Sequence, residues 1–289
     1  MNAMEPTRFE RVAIVGVGLI GGSLALDCRT AALWGSVVGI GRTRANLDVA
    51  LEHRLIDEAS QEVAAVAGAD LVLLATPVGS LVAMAERLAP HLTPGCLVTD
   101  VGSVKGGIVE GVAAALPDGV DFVGSHPIAG SEQHGAGAAR AGLFVDAPCI
   151  ICPPVGAHPA AVERTQALWA AVGARVEVME AARHDRILAA VSHLPHVVAY
   201  ALAAAALEEE GEACRRLAGT GFQDTTRIAR SSPELWRDIC LLNRDALLTA
   251  LDRFEARLAA MRAAVSLGDG DSLADQFGAA RTAVEKIDE

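Results

Sequence analysis

The stretch VAIVGVGLIGGSLA, residues 12–25, limits the fold of this chain more than any other. It joins an apolar β-type run to Gly16, Gly18 and Gly21 in the pattern G-x-G-x-x-G, and a helical pattern follows at once. In such a setting the first glycine permits a tight strand-to-helix turn. The second lets the backbone approach a pyrophosphate, and the third lets helix and strand pack closely. The helix N-terminus behind them offers free N–H groups and the positive end of its dipole. The glycine pattern alone is weak, but a strand before it and a helix after it supply the required context. The expected ligand is a dinucleotide, with Gly16, Gly18, Leu19, Ile20 and Gly21 at its phosphates.

The first half of the chain agrees with that turn. β-type runs at 11–16, 36–41, 69–76, 96–101, 121–125 and 147–152 alternate with helical patterns near 21–33, 44–53, 79–89 and 105–115. Alternation of this kind predicts βαβ units and a Rossmann-type, doubly wound parallel sheet in an α/β fold. The strand signal ends after GARVEVME, residues 173–180. Helical patterns then cover 181–209, 212–219, 232–265 and 271–287, and Ser232-Pro233-Glu234 opens the third with a capping serine and a proline at the first helical position. The expected layout is a dinucleotide-binding domain over 1–180 and an all-α domain over 181–289. The helical half carries more apolar surface than a thin layer can bury, so a homodimer through it is expected.

A net charge of −12 argues against a nucleic-acid binder, which would show a basic field. Two apolar stretches imitate membrane signals. Residues 12–26 contain turn-spaced glycines, and residues 187–207 contain two histidines, a serine and a proline. They are read as the strand–turn–helix and as a buried helix, in a soluble, cytoplasmic protein with no membrane partner. Cys149 and Cys152 form a C-x-x-C inside a strand pattern, where residues three apart face opposite ways. Neither a disulfide framework nor a metal site is expected from the six cysteines.

The second strand ends in VVGIGRTRANL. Folds of this type that bind NAD usually carry an acidic residue there. Here Gly41 holds that place and Arg42 and Thr43 follow. A guanidinium and a hydroxyl suit a ribose 2′-phosphate, so NADP is favoured over NAD. Later strand ends bring Thr76-Pro77, then Ser103, then His126 in DFVGSHPIAGSE. Open α/β sheets bind ligands along that edge. His126, read as a loop residue, can take a proton from a substrate hydroxyl while hydride leaves the same carbon. His193 and His196 in SHLPH share a helix face, and substrate contact is preferred there to metal binding or a satisfied core pair.

The motifs GVGLIGGSLA, ATPV, DVGSVK, GSHPIAGSE, GLFVDAP, SHLPHVVAYAL and GFQDTTRIARSSPELWRDI, in this order, resemble the prephenate/arogenate dehydrogenases of tyrosine biosynthesis over about residues 11–260. The resemblance implies a Rossmann domain followed by a helical dimerisation domain. It implies oxidative decarboxylation of prephenate and/or arogenate with NAD(P)+, giving 4-hydroxyphenylpyruvate and/or tyrosine, CO2 and NAD(P)H. It makes His126 the acceptor for the ring-hydroxyl proton, Ser103 the group that orients that hydroxyl, and Arg227 the partner of a substrate carboxylate. His193, His196, Glu132 and Trp236 match pocket positions. No regulatory or mutase region is expected beside this unit. Two other readings stay open: a different Rossmann-plus-helical dehydrogenase, and a nonenzymatic NAD(P)-binding regulator.

Overall fold

A computed structural model describes residues 8–130, 133–208 and 211–286. Eight strands form one sheet: β1 (Phe9–Val15), β2 (Trp34–Ile40), β3 (Glu58–Ser60), β4 (Leu71–Leu74), β5 (Leu97–Asp100), β6 (Asp121–Pro127), β7 (Pro148–Cys152) and β8 (Arg175–Val178). Their order is β3-β2-β1-β4-β5-β6-β7-β8. Strands β3 through β6 are mutually parallel, β7 runs antiparallel to β6, and β8 is parallel to β7. Helices α1 (Leu19–Thr30), α2 (Arg44–Glu52), α3 (Leu81–Leu88), α4 (Gly106–Ala115) and α5 (Pro159–Ala171) accompany the sheet. From Ala181 onward the described elements are helical: α6 (Ala181–Leu188), α7 (Leu194–Ala206), α8 (Gly211–Leu217), α9 (Thr220–Thr226), α10 (Pro233–Leu242), α11 (Arg244–Leu267) and α12 (Gly270–Glu285).

Strands β4 and β5 are buried at every position, the state of a parallel sheet covered on both faces. Alternate side chains therefore feed two core layers. Val12 and Ile14 of β1 enter one layer, and Ala13 and Val15 enter the other. Cys149 and Cys152 follow the same rule and lie buried in opposite layers. The chain moves outward from β1 to β3 and then returns to β4 on the other side of β1. The loops after β1 and β4 thus diverge at a switch point, where a crevice opens beyond the strand ends.

The structure departs from the sequence reading in six places. Strand β3 is too short and too exposed to leave an apolar pattern. The sheet is mixed rather than wholly parallel, because β7 reverses direction. His126 is a strand residue paired with Ile150, not a loop residue. Its strand continues past Gly124-Ser125 because β7 supplies a ladder there, a tertiary partner that local pattern does not reveal. The helix expected over 232–265 is broken at Asn243, and residues 220–230 are helical where no helix was expected. Finally, the segment 187–207 is not a buried helix. It holds a π-helical turn, Ala189–His193, and then α7. The continuous run Ala181–Ala206 is long and apolar enough to cross a membrane, and 22% of its most apolar window is buried. Most of that window lies outside the chain's own core.

Candidate active site

The dinucleotide end is built by backbone. Gly16 has φ +95, and a Cβ there would stand 2.6 Å from the Ala75 carbonyl oxygen, at the end of the neighbouring strand. Only glycine holds that turn without displacing β4's continuation. A Cβ on Gly21 would meet Ile14 Cγ2 at 2.9 Å and the Gly16 carbonyl oxygen at 3.0 Å, so this glycine sets the approach of α1 to the sheet. Gly18 differs, since a Cβ there meets nothing within 4 Å. It precedes α1 in extended conformation, with Leu19 and Ile20 opening the first turn. The fold does not need glycine at this point, but an anion resting on the first N–H groups of α1 does. The site therefore suits a pyrophosphate. Asn46 braces the turn, donating to the Val17 carbonyl (2.7 Å) and accepting from Ala136 N–H (2.8 Å).

At the end of β2, Arg42 and Thr43 are exposed. Thr43 precedes α2, yet its hydroxyl makes no capping bond. Arg44 is held by Asp48 at 2.8 Å. Thr76 accepts a hydrogen bond from Ser80 Oγ (3.0 Å), and the exposed Pro77 leads into the following turn.

The next strand end is fixed by a buried ion pair. Lys105 Nζ lies 2.6 Å from Asp100 Oδ2, and neither side chain is exposed to solvent. Desolvating two charges costs several kcal/mol, so such a pair persists only with further hydrogen bonds. Here Asp100 also accepts from the N–H groups of Gly102 (2.8 Å) and Ser125 (3.0 Å), and Lys105 also donates to the Gly102 carbonyl (2.7 Å). These bonds fix the turn that carries the half-buried Ser103 and tie it to β6. Thr99 Oγ1 reinforces the tie, donating to the Val123 carbonyl and meeting Ser125 Oγ, each at 2.7 Å.

His126 stands beside that turn, almost wholly buried. Its Nδ1 is 2.8 Å from Nε2 of His184, with the rings edge-to-face at 62°. His184 Nδ1 is in turn 2.7 Å from Asp185 Oδ1. The Asp185 carboxylate accepts the N–H groups of Lys105 (2.8 Å) and Gly106 (2.7 Å), at the N-terminus of α4. Burial raises the Asp185 pKa, but the bonds from His184, Lys105 and Gly106 outweigh burial and hold it below its ordinary value. Burial lowers the His126 pKa well below 6.5, and the nearby positive charge of Lys105 lowers it further. His126 is therefore a neutral imidazole at pH 7, able to accept a proton.

The helical half closes the other side. Asn243, at the break between α10 and α11, donates to the Asp185 carbonyl (2.8 Å) and to His193 Nδ1 (3.0 Å). An amide nitrogen only donates, so His193 Nδ1 is the acceptor and its proton sits on Nε2. Burial takes the His193 pKa down to about 4, so this ring is also neutral. His196 stacks on Trp236, centroids 3.4 Å apart and planes at 18°, and donates from Nδ1 to the Ser192 carbonyl (3.0 Å). Trp236 meets His193 edge-on at 6.0 Å. Arg227 is exposed and close enough to His196 to add to the lowering of its pKa by burial. His126, His193, Trp236, His196 and Arg227 are thus linked in turn by ring contacts or charge, Ser103 lies on the turn held by the Asp100–Lys105 pair, and Glu132 lies outside the described residues.

Sequence reasoning missed His184, Asp185 and Asn243. Two signals were present. His184-Asp185 is an adjacent acid–imidazole pair at the start of the first helix after the sheet, and Asn243 interrupts an apolar helical face in ICLLNRDALL. Neither has meaning without the distances that join them to His126 and His193.

Comparison with known proteins gives a consistent picture. Residues 24–178 match the family model described as the nucleotide-binding domain of prephenate dehydrogenase, and residues 180–279 match that of its dimerization domain. The glycine turn precedes the first match and rests on its own geometry. The chain is 37% identical over 275 residues to a cyclohexadienyl dehydrogenase of Zymomonas mobilis, covering 94% of each chain. A crystal structure of prephenate dehydrogenase from A. aeolicus, in complex with hydroxyphenyl propionate and NAD+, superposes with a TM-score of 0.90 at 32% identity, covering 96% of this chain and 98% of that one. The Synechocystis arogenate dehydrogenase structure superposes with a TM-score of 0.82 at 31% identity, covering 96% and 99%.

Proposed function

The chain belongs to the prephenate dehydrogenase family of NAD(P)-dependent oxidoreductases, and on that premise we propose that it oxidatively decarboxylates prephenate and/or arogenate, with His126 as the proton acceptor and NADP as the favoured cofactor. The observation that carries this reading is a neutral, buried imidazole at the sheet edge, on the strand next to the one that leads into Ser103.

A bound dinucleotide supplies the hydride acceptor. The chain's own residues handle position and proton. Arg227 holds a substrate carboxylate through its guanidinium, and the stacked His196 and Trp236 present a flat wall to the side chain. Ser103 orients the ring hydroxyl. As hydride departs from the carbon bearing that hydroxyl, its proton passes to His126. Loss of CO2 then returns the bonding electrons to the ring and makes it aromatic. The phenolate oxygen recovers the proton from His126, so none is consumed overall. Aromatisation supplies the driving force, and the protein contributes mainly orientation and a poised base.

The groups shown beside His196 are an indole and the Arg227 cation, surroundings for a keto acid rather than an ammonium. Prephenate is accordingly the favoured substrate. We place the domain boundary at residue 180, with a cytoplasmic homodimer formed through the helical half. Steady-state turnover of purified protein in a two-by-two grid, prephenate or arogenate with NAD+ or NADP+, tests the reading. The highest kcat/KM is expected for prephenate with NADP+. Replacing Arg42 by Asp is expected to shift preference toward NAD+ by about tenfold or more, the size of one charge-assisted contact. Silence in all four combinations, with dinucleotide binding intact, would leave the regulator or a different dehydrogenase standing.

A further inference from the structure

A base that accepts a substrate proton needs more than neutrality. It must present a lone pair, and an imidazole has two tautomers of which only one does so at a given nitrogen. The groups behind His126 bear on that choice. A chain of contacts leads from His126 through His184 to Asp185, at 2.8 Å and 2.7 Å. The Asp185 carboxylate also receives two backbone N–H groups, which can only donate. It is thus an acceptor toward His184, whose Nδ1 carries the hydrogen. With a single ring hydrogen, on Nδ1, His184 turns the lone pair of Nε2 toward His126, and in that tautomer Nε2 accepts from Nδ1–H of His126. The remaining nitrogen of His126, Nε2, then bears the lone pair.

We propose that His184, backed by Asp185, is a positioning residue for this reaction: it holds His126 in the Nδ1–H tautomer with Nε2 aimed at the substrate hydroxyl. The proposal rests on the function proposed above. His184 is fully buried and acts only through His126. Its anchor is secured from both halves of the molecule. The N-terminus of α4 binds the Asp185 side chain, and Asn243 binds its main-chain carbonyl. Antiparallel pairing with Ile150 fixes the His126 backbone, so neither end of the ring-to-ring bond is free to drift. When His126 takes up the proton, its Nδ1–H bond to His184 becomes charge-assisted and stronger, which favours the protonated state where it is needed.

Two substitutions and one spectrum test this. His184→Ala removes the acceptor. His184→Gln keeps an oxygen that can accept near the place of Nε2. We expect His184→Ala to lower kcat by about 100-fold or more, with KM and the dinucleotide Kd within about threefold, and His184→Gln to recover at least about tenfold of that loss. Nitrogen-15 NMR of histidine-labelled wild-type protein is expected to show His126 protonated on Nδ1. A His126 protonated on Nε2 would overturn the proposal, as would a His184→Ala enzyme with wild-type kcat or a Gln variant no better than Ala. If His184→Ala fails to fold, the wild-type spectrum still decides. A wild-type protein silent on both substrates would overturn the functional reading instead, and the spectrum would still report the tautomer.

Discussion

At the scale of single residues, burial decides the chemistry. His126 and His193 are held neutral because the protein withdraws water and supplies no carboxylate strong enough to offset that. The sign for stability follows. Their folded pKa values lie below the unfolded value near 6.5, so the unfolded chain binds more protons at acid pH and stability falls as pH drops below about 6.5. With a folded pKa of about 4, His193 alone accounts for about 3 kcal/mol lost between pH 7 and pH 4. Urea midpoints across that range should show the loss, and His193→Gln should reduce it. The kcat profile should keep its acid limb below pH 6.5, since His126 must be neutral to act. The Asp100–Lys105 pair belongs to the same scale. Lys105→Met leaves a buried carboxylate without its cation and should cost about 3–5 kcal/mol in denaturant unfolding. A loss under 1 kcal/mol would mean that the pair is dispensable.

At the scale of elements, two glycines of one turn should behave differently. Gly16→Ala places a Cβ against the Ala75 carbonyl and strains φ, so it should destabilise the fold. Gly18→Ala meets open space, so thermal unfolding should stay within a few degrees while dinucleotide affinity drops tenfold or more, because the methyl group occupies the pyrophosphate's place. Equal affinity for Gly18→Ala and wild type would remove the phosphates from this turn. The turn was legible in the sequence because its meaning is local: a strand, three glycines and a helix. His126 was legible as a residue but not as a strand position, because only the ladder with β7 extends β6 through it. The break at Asn243 was not legible, since SPELWRDICLLNRDALL reads as one helix until Asp185 and His193 draw the amide inward.

At the scale of the molecule, the proposed site draws on two halves of different architecture. The sheet supplies Ser103 and His126, and the helices supply His184, His193, His196, Arg227 and Trp236. The sequence pointed to most of these singly, while the network that couples them became visible only in three dimensions. The exposed Val191, Leu241, Leu248 and Leu258 lie on the helical half, and α7 has little of its surface buried. Sedimentation equilibrium should therefore report a dimer at micromolar concentration, and Leu248→Glu should shift it toward monomer if that face is the interface. The proposed mechanism converges on one nitrogen of His126, and the most direct test is turnover and dinucleotide binding of His126→Asn. The account predicts kcat reduced by about 10²–10⁴-fold with dinucleotide Kd within about twofold of wild type. A His126→Asn protein that turns over prephenate at the wild-type rate would contradict it.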